Sequence, residues 1–271
     1  MSDETIYLLV RADDIGFCQA ANQACIDVFN QGICRSVEIM APCPWFPQAV
    51  KLLQAHRNYD VGVHFTLTSE WENMKWRPVS DAKSVAAEDG YFYRTYRKND
   101  NYPDEITFEQ GDWTPADVEK ELRAQMELIR KHVPWVTHAT THMGGLRDNP
   151  DFQNVVDGLI AEYDLTVDLQ ANGFERVRAF GENSQALEPA EKITRLRQTL
   201  AELQPGRWIH VDHPAYNTPE TRQIHHVGYE RVAIDRQGVV EAGTDAGVKE
   251  IVAQRNIRLV SYGDVKRGSL N

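Results

Sequence analysis

Apolar runs of strand length alternate along this chain with apolar stripes of helical period. The first run, Ile6 to Val10, has the length and boundaries of a buried strand and ends at Asp13-Asp14-Ile15-Gly16. Gln19 to Asn30 then carries Ala21, Ala24, Cys25, Val28 and Phe29 at helical spacing, with Gly32 as a stop. Arg35 to Met40 alternates and is β-branched enough for a second strand. Pro47 opens a helix that runs to His56, because proline is tolerated in a first helical turn. Asp60 to Leu67 predicts a third strand.

From Thr68 to about Trp113 the pattern breaks. The periodicity resumes with a helix over Thr114 to Lys131, capped by Thr114, with Pro115 first, Asp117 and Glu119 early and Arg130-Lys131 late. A short strand and a glycine-ended loop follow between Pro134 and Gly145. The remainder predicts a helix over Asn149 to Glu162, a strand over Leu165 to Leu169 and a loop over Gly173 to Ser184. A helix over Ala190 to Leu203 and a strand over Arg207 to His213 come next. Helical stretches near Pro219 to Asp235 and Thr244 to Arg255 precede a last strand, Ile257 to Tyr262. Alternating strands and helices point to an α/β fold, a mostly parallel sheet with helices outside. With no internal repeat and no linker, residues 1–271 read as one domain.

The interruption at 68–113 is too long for an ordinary connection. It carries Trp71, Trp76, Tyr91, Phe92, Tyr93, Tyr96, Tyr102 and Trp113. Two readings fit. Exposed Trp71 and Trp76 could stack on the apolar face of a sugar ring, or the aromatics could form a cluster that anchors the insertion. The net charge of −11 argues against a nucleic-acid surface, which needs clustered Lys and Arg, but does not forbid a local basic pocket. No stretch approaches the roughly 20 apolar residues of a membrane span. The acidic start lacks a leader pattern, so a soluble cytoplasmic protein is expected. The cysteines, Cys18, Cys25, Cys34 and Cys43, contain no C-x-x-C and read as small buried residues in a reducing compartment.

The candidate chemistry falls at strand ends, where parallel α/β folds place their sites. Asp13 and Asp14 are costly at the end of a buried strand unless a cation sits beside them. Side-chain alternation sends them different ways, so one acid could hold a metal while the other moves protons. The competing reading is a solvated turn or a helix cap. His64 interrupts an apolar strand. Of His138 and His142, the one nearer the loop, His142, is favoured as a ligand, with His138 supporting it. Strand six delivers His210, Asp212 and His213, and His213 at its end is the best candidate proton donor. Arg176, in the loop over Gly173 to Ser184, is a candidate substrate contact. One carboxylate and two imidazoles suit a divalent cation, with zinc, magnesium, cobalt, manganese, iron and nickel left open.

Arg11 through Gly16, Gly32-Ile33, Gly62 through Thr68, His138 through His142, Asp212-His213-Pro214 and Ile257 through Tyr262 together resemble the successive motifs of the YdjC/ChbG-like carbohydrate deacetylases. The resemblance spans nearly the whole chain. It implies a seven-stranded, irregular (β/α) barrel related to polysaccharide deacetylases, with the insertion after strand three. It also implies removal of acetyl groups from a small N-acetylated sugar and one divalent metal, zinc or magnesium first. Carried over, the metal ligands fall on Asp14, His64 and His142, the general base on Asp13 and the proton donor on His213. His138 and His210 take supporting positions. Homodimerisation is suggested by the resemblance alone. Two positions depart from the family: Thr140 stands where an acid is common, and Ile209 where a glutamate is common. Another amide or ester hydrolase, or a catalytically silent carbohydrate-binding protein, remains as an alternative.

Overall fold

The structure is a computed structural model and describes residues 4–270. Its strands are β1 (Ile6–Ile15), β2 (Ser36–Ile39), β3 (Val61–Phe65), β4 (His138–Thr141), β5 (Phe174–Arg176), β6 (Gly206–Asp212) and β7 (Arg258–Val260). Every ladder between them is parallel, in the order β4-β3-β2-β1-β6-β5. β1 is the axis of the sheet. β6 runs along Ile6 to Ala12, β7 pairs with Tyr7 to Leu9, and β2 pairs with Arg11 to Ile15. The sheet curls enough for residues beyond β4 and β5 to line one cavity, yet no ladder among the described residues joins those two edges. The expected barrel is therefore present as an open half-barrel.

The helices are α1 (Gln19–Asn30), α2 (Phe46–Ala55), α3 (Pro115–His132), α4 (Pro150–Glu162), α5 (Pro189–Glu202), α6 (Val232–Thr244), α7 (Ala246–Gln254) and α8 (Tyr262–Lys266). The period of β1 divides the core. Ile6 and Leu8 pack with Leu196, Leu200 and Val239 of α5 and α6, while Tyr7 and Leu9 pack with Phe174, Ile209 and Val260. The helix signals hold where they are local. Thr114 accepts a hydrogen bond from the Asp117 amide and Pro115 starts α3. Among the described residues no helix is long and apolar enough to cross a membrane.

Two expectations fail. Leu165 to Leu169 is irregular, and the fifth strand is Phe174–Arg176, inside the stretch read as a loop. That strand has three residues, two of them charged and exposed, so no alternation marks it. The helix expected near Pro219 to Asp235 is mostly turns, and α6 instead fills the interval to Thr244. Gly238 hides α6 from a propensity reading, because glycine weakens a helix. It is needed there: a Cβ would stand 2.9 Å from Cδ of Lys192 and 3.1 Å from Cα of Pro189 on the facing helix.

The insertion is fastened rather than loose. Trp76, Phe92, Tyr96 and Phe108 are buried in the main core. Beneath it, the fully buried Glu121 of α3 accepts hydrogen bonds from the amides of Val79 and Ser80 (2.9 and 2.8 Å) and from the Ser80 hydroxyl (2.7 Å). All four cysteines are free and buried, and burial pushes the thiols of Cys18 and Cys34 up to about 12.

Candidate metal and catalytic centre

The centre begins with a break in β1. The ladder to β2 shifts register between Ala12 and Ile15, and Asp14 takes a left-handed conformation (φ 72°). Aspartate is one of the few residues that tolerate this region. Gly16 follows at φ 110°, where a Cβ would lie 2.8 Å from the Met40 carbonyl oxygen. The consequence corrects the alternation argument. An unbroken strand would send the two aspartates to opposite faces, but the bulge brings both to one centre. Asp13 Oδ2 and Asp14 Oδ1 lie 3.8 and 3.7 Å from His64 Nε2.

Asp14, His64 and His142 each turn one ligand atom to a common point, all within 4.8 Å of one another. Each imidazole is anchored by its other nitrogen. His64 Nδ1 is 2.7 Å from the Thr140 hydroxyl, so Nε2 faces the point. His142 Nε2 is 3.0 Å from Glu70 Oε2, so Nδ1 faces it, 3.4 Å from Asp14 Oδ1. Asp14 Oδ1 and His142 Nδ1 are both buried without a hydrogen-bond partner. Buried polar atoms are as a rule satisfied, so two orphans converging with a free imidazole nitrogen fit a divalent cation. The donor set, one carboxylate oxygen and two imidazole nitrogens, suits the same group.

Electrostatics follow. At Asp14 burial opposes the charge, but His213, His142 and Arg236 outweigh it and hold the carboxyl well below its usual range. Burial, then the neighbouring His142, lowers His64 to about 3, which keeps it a neutral ligand. Burial acts the same way on His142, but Glu70 and Asp14 overcome it and raise the ring to about 10. A cation placed between these groups would have to displace a proton from His142.

The other two candidates flank this set. Arg11 clamps Asp13 with both arms, Nε to Oδ1 at 2.7 Å and Nη2 to Oδ2 at 2.8 Å. His213, at the end of β6, places Nε2 4.0 Å from Asp13 Oδ2, and its side chain is 40% exposed. Burial works against its protonation, but Asp14 and the adjacent Asp212 raise its pKa.

The family model described as YdjC-like protein matches residues 7–254. The chain belongs to the YdjC-like family. A carbohydrate deacetylase of Thermoanaerobacter pseudethanolicus is 24% identical over 96% of this chain and 99% of its own length. One from Geobacillus stearothermophilus is 29% identical over 59% of this chain and 58% of that protein. A crystal structure from Enterococcus faecalis, of a protein to which cellobiose-phosphate cleavage is ascribed, superposes with a TM-score of 0.73. It is 21% identical and covers 96% of this chain and 99% of that one, a likeness of fold.

In this YdjC-like chain a cavity of about 730 Å³ opens over Asp14, His142 and His213, with Arg176 and Tyr229 on its walls. A second, of about 530 Å³, reaches Asp13, His64 and His213 from the side of Arg97 and Arg147. The exposed Arg176 borders both. His210 borders the larger one, its Nδ1 3.4 Å from the Val177 carbonyl. The tryptophans depart from the exposed sugar platform. Trp76 is 3% exposed, lines neither cavity and donates its indole N–H to the Thr68 carbonyl at 2.9 Å. Trp71 is 2% exposed and lines the larger cavity, with the Arg236 guanidinium 5.2 Å from its ring and 5.2 Å from Phe17. Of the two readings of the insertion, the anchoring cluster describes Trp76, while Trp71 is packed in the core and also faces the larger cavity.

His138 is not free to ligate. Its Nε2 lies 2.5 Å from Glu38, its Nδ1 2.8 Å from the Thr137 hydroxyl, and its ring stacks on Tyr262 at 3.7 Å. His142→Ala is therefore expected to lose the stoichiometric metal, and His138→Ala to keep it. Metal content of the two purified variants, by atomic emission, checks this, and the reverse result would exchange their roles.

Three partners escaped the sequence reading. Glu38 had a signal, a charged residue in a buried strand. Glu70, within the insertion, and Arg236, 222 positions from the Asp14 it meets at 3.0 Å, had none.

Proposed function

We propose that the chain is a metal-dependent carbohydrate deacetylase that hydrolyses the acetyl amide of a small N-acetylated sugar. The observation that carries this reading is the convergence of Asp14, His64 and His142 on one point, flanked by an acid and a histidine beside an open cavity. The relatives named carbohydrate deacetylase, matched along almost their full length in one case, support the substrate class.

A divalent cation held by Asp14, His64 and His142 supplies Lewis acidity, which polarises a carbonyl and makes a water more acidic. The chain's own groups do the rest. Asp13, oriented by Arg11, accepts a proton from the attacking water. His213, protonated, gives one to the leaving sugar nitrogen as the C–N bond breaks. Acetate and the free amino sugar result. Arg236 holds Asp14 Oδ2, which leaves Oδ1 toward the cation. Arg176, at the meeting of the two cavities, is placed to contact the sugar.

The test is acetate release from N-acetylated and O-acetylated mono- and disaccharides, with chelated and metal-restored protein. Activity that disappears on chelation and returns with metal is expected. Turnover untouched by complete chelation would sink the mechanism, and release only from O-acetyl sugars would change the bond.

The proton donor gives a pH signature. His213 must be protonated to act, so kcat/KM falls as pH rises through its raised pKa. Asp212→Asn weakens the carboxylate hydrogen bond that helps raise it, and the fall is expected at lower pH than in the wild type. An unmoved basic limb would remove His213 from the donor role.

A further inference from the structure

A buried acid on the neighbouring strand reaches the candidate ligand His64 through a hydroxyl on the strand beyond it. Glu38 of β2 is completely buried. Its Oε2 accepts the Thr140 hydroxyl at 2.6 Å, and the Thr140 oxygen lies 2.7 Å from His64 Nδ1. Its Oε1 faces His138 Nε2.

The sheet register builds this arrangement. Glu38, Gly62 and His138 occupy one row across β2, β3 and β4, and His64 pairs with Thr140 in the row two residues on. A residue normally intervenes between positions two strands apart. Here it is Gly62, where a Cβ would stand 2.3 and 2.5 Å from the Glu38 oxygens and 2.4 Å from His138 Nε2. Only glycine leaves room for the acid to pass over the middle strand.

Donor accounting gives the row a direction. An ionised carboxylate only accepts, so the Thr140 hydroxyl spends its one proton on Glu38. Its oxygen can then only accept from His64, which fixes the proton on Nδ1 and the lone pair on Nε2, the nitrogen that faces Asp14 and His142.

We infer that Glu38 is a positioning residue for the metal centre, setting the tautomer and orientation of His64 through the Thr140 hydroxyl. The inference rests on the metal reading of Asp14, His64 and His142. It concerns how the chain prepares a ligand and involves no contact with the sugar. Glu38 and Thr140 act in series, so removing either link should release His64 to the same degree.

The experiment measures Co²⁺ and Zn²⁺ affinity by competition with a chromophoric chelator, for wild type, Thr140→Val, Thr140→Ser, Glu38→Gln and Glu38→Gln/Thr140→Val. Thr140→Val is expected to weaken binding by about 10- to 100-fold, the range for lost partners of a ligating histidine. Thr140→Ser, which keeps the hydroxyl, should bind as wild type does. The double variant should bind no more weakly than Thr140→Val. The imidazole ¹⁵N shifts of His64 in metal-free protein give a second readout, which general loosening would not move in a defined direction. The wild type should show the Nδ1–H tautomer, and Thr140→Val a shift toward Nε2–H. Wild-type affinity and tautomer in Thr140→Val would overturn the inference. If Glu38→Gln fails to fold, the wild-type tautomer still decides it: an Nε2–H His64 would accept the Thr140 proton itself, leaving none for Glu38, and would overturn the inference. Failure of the wild type itself to bind either metal would instead sink the reading on which the inference rests.

Discussion

Asp13→Asn is expected to lower kcat/KM by about 10³-fold while leaving the metal bound, within the 10²- to 10⁴-fold range of general acid–base catalysis. The two aspartates are neighbours and nearly equidistant from His64 Nε2, at 3.8 and 3.7 Å, so distance alone does not separate their roles. Their partners do. Both oxygens of Asp13 are engaged by Arg11, whereas Asp14 gives one oxygen to Arg236 and keeps Oδ1 free toward the imidazoles. Asparagine preserves the shape of Asp13 and one acceptor for Arg11, but it cannot take a proton from water. Arg11 loses a charged partner in this variant, so thermal unfolding belongs beside the kinetics, to show that the loss of rate exceeds any loss of folded protein. Metal content of Asp13→Asn as low as that of Asp14→Ala would make Asp13 a ligand. Full turnover would place the base elsewhere.

Arg236→Met should be the most destabilising single change at the centre. Arg236 is 4% exposed, bonds Asp14 at 3.0 Å and packs against the rings of Phe17 and Trp71. Methionine can fill much of that slot, so the packing loss is small. What remains is a buried Asp14 carboxylate without its guanidinium, and breaking a buried pair this way costs about 3–5 kcal/mol. For a chain of this size that corresponds to a Tm lower by roughly 10 °C. The deficit should be largest in chelator. It should shrink when metal is added, because a cation on Oδ1 supplies part of the missing charge and stabilises by mass action. A Tm within about 2 °C of wild type in chelator would show that Asp14 does not need Arg236.

The parts of the molecule that announced themselves are those whose determinants are local. α1 and α3 carry their stripes, caps and stops within their own residues, and their limits match the expectation closely. The acids and histidines at the ends of β1, β3, β4 and β6 stand where a strand meets a polar residue, which is also a local signal. What stayed hidden depends on neighbours in space. β5 is a strand because β6 offers it a ladder from Arg207 to Ile209, while its own Phe-Glu-Arg shows no period. The left-handed turn at Asp14 comes from the register shift against β2 and reverses a prediction drawn from β1 alone. Trp71 and Trp76 are ambiguous as sequence, since the same indole suits a sugar or a core. Burial decides between those, and burial depends on where Phe17 and Arg236 arrive.

The four buried cysteines also bear on how the molecule can be studied. A thiol reacts as its thiolate, and these are inaccessible with raised pKa values, so the folded protein presents no fast-reacting sulfur. A single cysteine introduced on the rim of the larger cavity, at Ser184 for example, becomes the one addressable position on a natural background. A fluorophore attached there would follow the wall of that cavity as sugar and metal arrive, with no native residue removed beforehand.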